Sequence, residues 1–163
     1  MRFYWVVALY SLLMGSVSAT AVGASGPSGD DILKPQSVQM AEQGKAALTR
    51  GDALVAIDAY EAALASDPKN VAAFTGIAMS YEKLGLPGKA VKYYREALAL
   101  NPSNLVALEG QGKAYIVRGA TARAQVNLAR IKALCKLDCT AAARLQAAID
   151  LAATQAPKTV ATK

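Results

Sequence analysis

Cys135 and Cys139 are the residues of this 163-residue chain whose type and spacing offer covalent chemistry. Two thiols four positions apart can form a disulfide, exchange one, or supply two ligands to a metal. Histidine is absent altogether. Its absence removes the commonest general base and the commonest nitrogen ligand, and with them serine–histidine, cysteine–histidine and histidine–zinc sites. The spacing is not Cys-x-x-Cys and no thioredoxin-like strand pattern surrounds it, so a thiol–disulfide protein using this pair is the weaker alternative. In an unbroken helix the two β-carbons stand too far apart for a relaxed disulfide. A break between two helices lets them close, and Asp138 suits the cap of the following helix. The expectation is a structural staple, worth roughly 2 kcal/mol by loop entropy.

No other group of residues reads as a reaction centre. Gly85-Leu86-Pro87-Gly88 is a turn between helices rather than a phosphate-cradling loop. Asp30-Asp31 is an acidic pair without a ligand-rich neighbourhood. No catalytic, cofactor-binding or metal-ligating residue is assigned, and the chain is expected not to be an enzyme.

A disulfide persists in an oxidising compartment, and the amino end predicts export to one. Arg2 precedes an apolar run from Phe3 to Met14, followed by Gly15, Ser16 and the small residues Val17-Ser18-Ala19. That order is a secretory signal peptide over residues 1–19, with cleavage near Ala19. The run falls short of the roughly 20 residues that span a bilayer; an uncleaved, membrane-anchoring signal is the alternative. The expected location is secreted and periplasmic. The formal net charge is +6, densest in the last third at Arg118, Arg123, Arg130, Lys132 and Lys136. Weak association with an anionic membrane surface follows from that excess. Nucleic acid does not, since no recognition motif accompanies it.

Between a Gly/Ser/Ala/Pro-rich linker (20–36) and a tail (156–163) the pattern is helical throughout. Helices are predicted over 37–49, 53–65, 71–84, 89–100, 105–118, 121–134 and 140–153. Gly51, Gly85 and Gly119 suit the positive φ just past a helix end. Asp67, Asn70, Asn101 and Asn104 are candidate caps. These residues also repeat: Gly51, Gly85 and Gly119 are 34 apart, as are Ala56, Ala90 and Ala124, Pro68 and Pro102, and Asn70 and Asn104. A fixed period of this size marks a stack in which each unit buries its apolar face only against its neighbours.

Phe74-x2-Ile77-Ala78-x2-Tyr81, then Ala90-x3-Tyr94, then Pro102, resembles the tetratricopeptide repeat (TPR), and the whole resembles a short secreted bacterial protein of that family. The flanking units depart from the pattern. Met40 and Gln43 replace a large apolar pair, which predicts a looser, more exposed first helix. Gln111 is also a departure, and Lys136 stands in place of a closing proline. The resemblance implies an all-α, right-handed α-solenoid over 37–155, with repeats at about 37–70, 71–104 and 105–138 and a capping helix at 140–153.

It also implies function. The first helix of each TPR pair lines a concave groove that takes partner segments, which here places Lys45, Leu48, Thr75, Met79, Glu82, Lys83, Glu109, Lys113 and Ile116 along it. The chaperone-tail clamps of the family need Lys, Asn and Arg in the groove; Ala41, Gly76, Val106 and Gly110 stand at several of those places, so that activity is not implied. The resulting expectation is a non-catalytic scaffold or adaptor of the cell envelope that binds a protein or peptide segment without a cofactor. A subunit of a pilus or secretion assembly is the alternative.

Overall fold

A computed structural model describes residues 32–135 and 139–155. The predicted signal peptide, linker residues 20–31, Lys136, Asp138 and the tail lie outside the described residues. Seven helices follow one another: α1 (Pro35–Arg50), α2 (Ala53–Ser66), α3 (Val71–Lys83), α4 (Pro87–Leu100), α5 (Leu105–Val117), α6 (Thr121–Leu134) and α7 (Thr140–Gln155). No strand occurs among the described residues. Each helix packs on the next from α1 to α7, and α1, α3, α5 and α7 also touch in series. Three helix pairs therefore stack into an all-α solenoid, and α7 covers the last of them.

Local chemistry sets the breaks. Gly51, Gly85 and Gly119 follow the first helix of each pair with φ of 96°, 69° and 72°, where a side chain would strain the backbone. The Oδ1 atoms of Asn70 and Asn104 accept from the amides of Ala73 and Ala107 at 3.1 and 2.9 Å, capping α3 and α5. Asp67 and Asn101 do not cap helices as predicted. Asp67 accepts from the amides of Lys34 and Lys69, both at 3.0 Å, tying the start of α1 to the α2–α3 turn. Asn101 accepts from Ser103 within its own turn. Pro87, predicted as turn, opens α4, because a first-turn residue needs no donor and favours its φ.

The core is a ladder of rings set over glycines. Tyr60 of α2 is 5 % exposed. A β-carbon on Gly44 of α1 would stand 2.9 Å from its ring, and one on Gly76 of α3 would overlap the ring tip. Tyr94, one period later on α4, meets Gly110 of α5 in the same way. Fully buried alanines at 56, 63, 73, 90, 97, 107 and 124 let the backbones approach around these rings.

The first helix is more exposed than α3 and α5, as predicted from Met40 and Gln43, but its buried face is closely held rather than loose. Its buried face is Ser37, Ala41, Gly44 and Ala47, so small residues narrow the gap that a large pair would have filled. Ser37 Oγ donates to the carbonyl of Ala63 and accepts from Asn70 Nδ2, both at 2.8 Å. The departure at Gln111 has a similar reason: its Oε1 accepts from buried Asn127 at 3.0 Å. At the far end the sulfurs of Cys135 and Cys139 lie at disulfide distance, 2.10 Å, with Cα atoms 5.6 Å apart across the break between α6 and α7.

Gly76→Ala should cost about 1–3 kcal/mol, because the added methyl meets a ring locked between two helices. Urea unfolding checks this; a variant as stable as the parent would remove the ring ladder from the account.

Candidate functional site

The first helices α1 and α3, with the start of α5, enclose a groove of about 930 Å³. Small residues on the inner helices open it, and the ring ladder keeps α1 and α3 in fixed register. Lys45, Leu48, Thr75, Met79, Glu82 and Lys83 line it, all named from the sequence. Thr75 is part of the floor, buried with its hydroxyl donating to the carbonyl of Val71 at 2.8 Å. Met79 is 40 % exposed. Lys45 pairs with Glu42 at 3.4 Å on the exposed rim.

The predicted α5 residues Glu109, Lys113 and Ile116 do not line this groove, to which α5 contributes Val106. Glu109 is buried at 6 % exposure. It accepts from Lys113 Nζ at 2.6 Å and from the Nε and Nη2 of Arg144, on α7, at 2.8 and 2.6 Å. Ile116 packs against the core. The two cations therefore hold the predicted groove carboxylate as a clasp for the capping helix. Burial by itself would raise the Glu109 pKa; the hydrogen bonds from Arg144 and Lys113 reverse the direction and hold it below the ordinary value.

Glu82 is the contrasting carboxylate. Its Oε2 accepts from the Tyr94 hydroxyl at 2.8 Å. Burial pushes its pKa up, against the pull of that hydrogen bond and of the Lys113 charge. Burial also raises the Tyr94 hydroxyl, and Glu82 adds to the rise. Sequence reasoning missed Tyr60, Arg144 and this pairing. The period itself carried a signal: Gly76, Gly110 and Arg144 are 34 apart, as are Tyr60, Tyr94 and Leu128. Where leucine replaces the ring, an arginine stands in place of the glycine.

Among the described residues no cluster of three or more Cys, Asp or Glu is placed to hold a metal. The groove thus has an apolar floor and an exposed rim that carries the Lys45–Glu42 pair.

A family model described as "Tetratricopeptide repeat" matches residues 42–105 and 75–131. Among solved structures, the first TPR of Spaghetti (RPAP3) bound to HSP90 peptide SRMEEVD is 24% identical, covers 75% of this chain and 99% of that chain, and superposes with a TM-score of 0.68. The first TPR domain of the human RPAP3 protein is 24% identical over 74% of this chain and 94% of that one, with a TM-score of 0.67. The Sgt2 TPR domain from Aspergillus fumigatus is 23% identical over 80% and 84%, also with a TM-score of 0.67. No curated protein matches the sequence.

Because the folded pKa of Glu109 is lowered, its contribution is present above its ordinary value of 4.5 and is lost as pH falls through the lower folded value. Glu109→Gln should cost about 1–3 kcal/mol at neutral pH and flatten the acid limb of stability. Urea unfolding at neutral and acid pH checks this; parallel acid limbs for parent and variant would contradict it.

Proposed function

This chain belongs to the tetratricopeptide-repeat family, and we propose that it is a non-catalytic scaffold holding a segment of a partner protein in the groove between α1 and α3. The observation that carries the reading is the groove itself: side chains from two successive repeats meet along about 930 Å³ of open, apolar-floored space. The RPAP3 structures with bound HSP90 and HSP70 peptides support a peptide as the kind of ligand. They do not support the same peptide. Gly76 and Gly110, at two of the positions where the clamps of the family need polar groups, are closed over by the rings of Tyr60 and Tyr94. The site is therefore a groove of different chemistry on the same fold.

The envelope location rests on the signal-like order of residues 1–19 and on a cysteine pair suited to an oxidising compartment. In that setting the chain organises or assembles an envelope complex.

A photo-crosslinker at Met79, introduced in the expressing cell, should trap one discrete partner on a chain whose mass lacks residues 1–19. Lys45→Glu with Leu48→Ser, carried alongside, should reduce that product at least about tenfold, while Arg95→Glu on α4 leaves it unchanged. Equal trapping by all three chains would contradict the groove, and a trapped chain of full length would contradict cleavage.

A further inference from the structure

Tyr60 and Tyr94 occupy equivalent places one period apart, and their hydroxyls do not. Tyr94 donates to Glu82 Oε2 at 2.8 Å. The position equivalent to Glu82 in the first repeat is Leu48, which offers no acceptor. Tyr60 makes no side-chain hydrogen bond among the described residues, although the residue is only 5 % exposed. No buried side-chain oxygen is without a partner, so this hydroxyl is one that solvent still reaches. Tyr60 is also one of the residues that line the groove. Burial, with Glu42 nearby, pushes its pKa up and keeps the proton on it. It is a donor without an acceptor on the floor of a binding groove, where phenylalanine would pack as well.

The walls around it define what it can take. Ala41, Leu48, Met79 and Val106 are apolar, and the lining carries two carboxylates, Glu42 and Glu82, beside two ammonium groups, Lys45 and Lys83; Lys45 pairs with Glu42 and Glu82 accepts from Tyr94. A carboxylate placed there meets Glu42 and Glu82 as well as the two lysines and gains little net attraction, whereas a neutral carbonyl loses nothing by that balance. We propose that the Tyr60 hydroxyl donates to a backbone carbonyl of an internal, uncharged, extended peptide segment, with an apolar side chain of that segment between Leu48 and Met79. The inference rests on the groove reading above and names its ligand: an interior stretch of a partner chain, not a free carboxyl terminus.

Two phage libraries of random heptapeptides separate the possibilities, one displayed inside a coat protein and one with a free terminal carboxylate. Both are selected on the full chain. The internal library should enrich peptides bearing leucine or valine and few charges. Synthesised with acetylated and amidated ends, those peptides should bind Tyr60→Phe about fivefold more weakly, the loss of one neutral hydrogen bond, with the melting temperature unchanged. Tyr94→Phe should leave binding unchanged. Leu48→Glu, which supplies Tyr60 with the acceptor that Tyr94 already has, should abolish binding. Enrichment from the free-carboxylate library alone, or equal affinity for Tyr60→Phe, overturns the inference and leaves the groove standing. Enrichment from neither library overturns the groove as well.

Discussion

The contact on which the structure depends is an aromatic ring laid over a glycine of the next repeat. Tyr60 lies against Gly44 within its own pair and ends over Gly76 of the following one; Tyr94 ends over Gly110. A ring of this size fits between helices only where a β-carbon is missing, so each contact fixes both the distance and the rotation between successive pairs. Alanines at 0 % exposure fill the remaining approach. Packed interiors tolerate little change in volume, and the same nesting recurs wherever the same residues do.

The site follows from that constraint. With α1 and α3 held in register by Tyr60, the side chains between them leave a groove instead of closing it. One period on, the Tyr94 hydroxyl is occupied by Glu82, so two equivalent rings come to differ in what they offer a ligand. At the third repeat the contact is gone: Leu128 stands for the ring and Arg144 for the glycine. The arginine reaches Glu109 instead. The stack thus ends with an ion clasp and a cysteine pair where its interior uses ring packing.

Much of this was legible in the residues because the signals were local. A glycine past a helix end and an asparagine at a helix start act through one or two backbone groups, and their recurrence every 34 positions made the helix-pair stack readable; the family resemblance, not the period, named the six residues that line the groove. What stayed hidden needed partners distant in sequence. Glu109 reads as an exposed groove residue until Arg144, 35 positions on, is known to reach it. The close packing of α1 was hidden because bulk at Met40 and Gln43 was the expected filler, whereas Ser37 and Gly44 remove the need for it. Asp67 looked like a helix cap because its true partner, the Lys34 amide, lies 33 residues upstream.

The most direct test of the ring-over-glycine account is a double-mutant cycle on Tyr94→Leu and Gly110→Ala, read by urea unfolding. Leucine is the residue that the third repeat uses at this place. If the ring is what forbids a β-carbon at 110, the alanine should be costly beside tyrosine and nearly neutral beside leucine, with a coupling of about 1 kcal/mol or more. Costs that simply add would show that the ring and the glycine act independently, and the nesting of the repeats would need another cause.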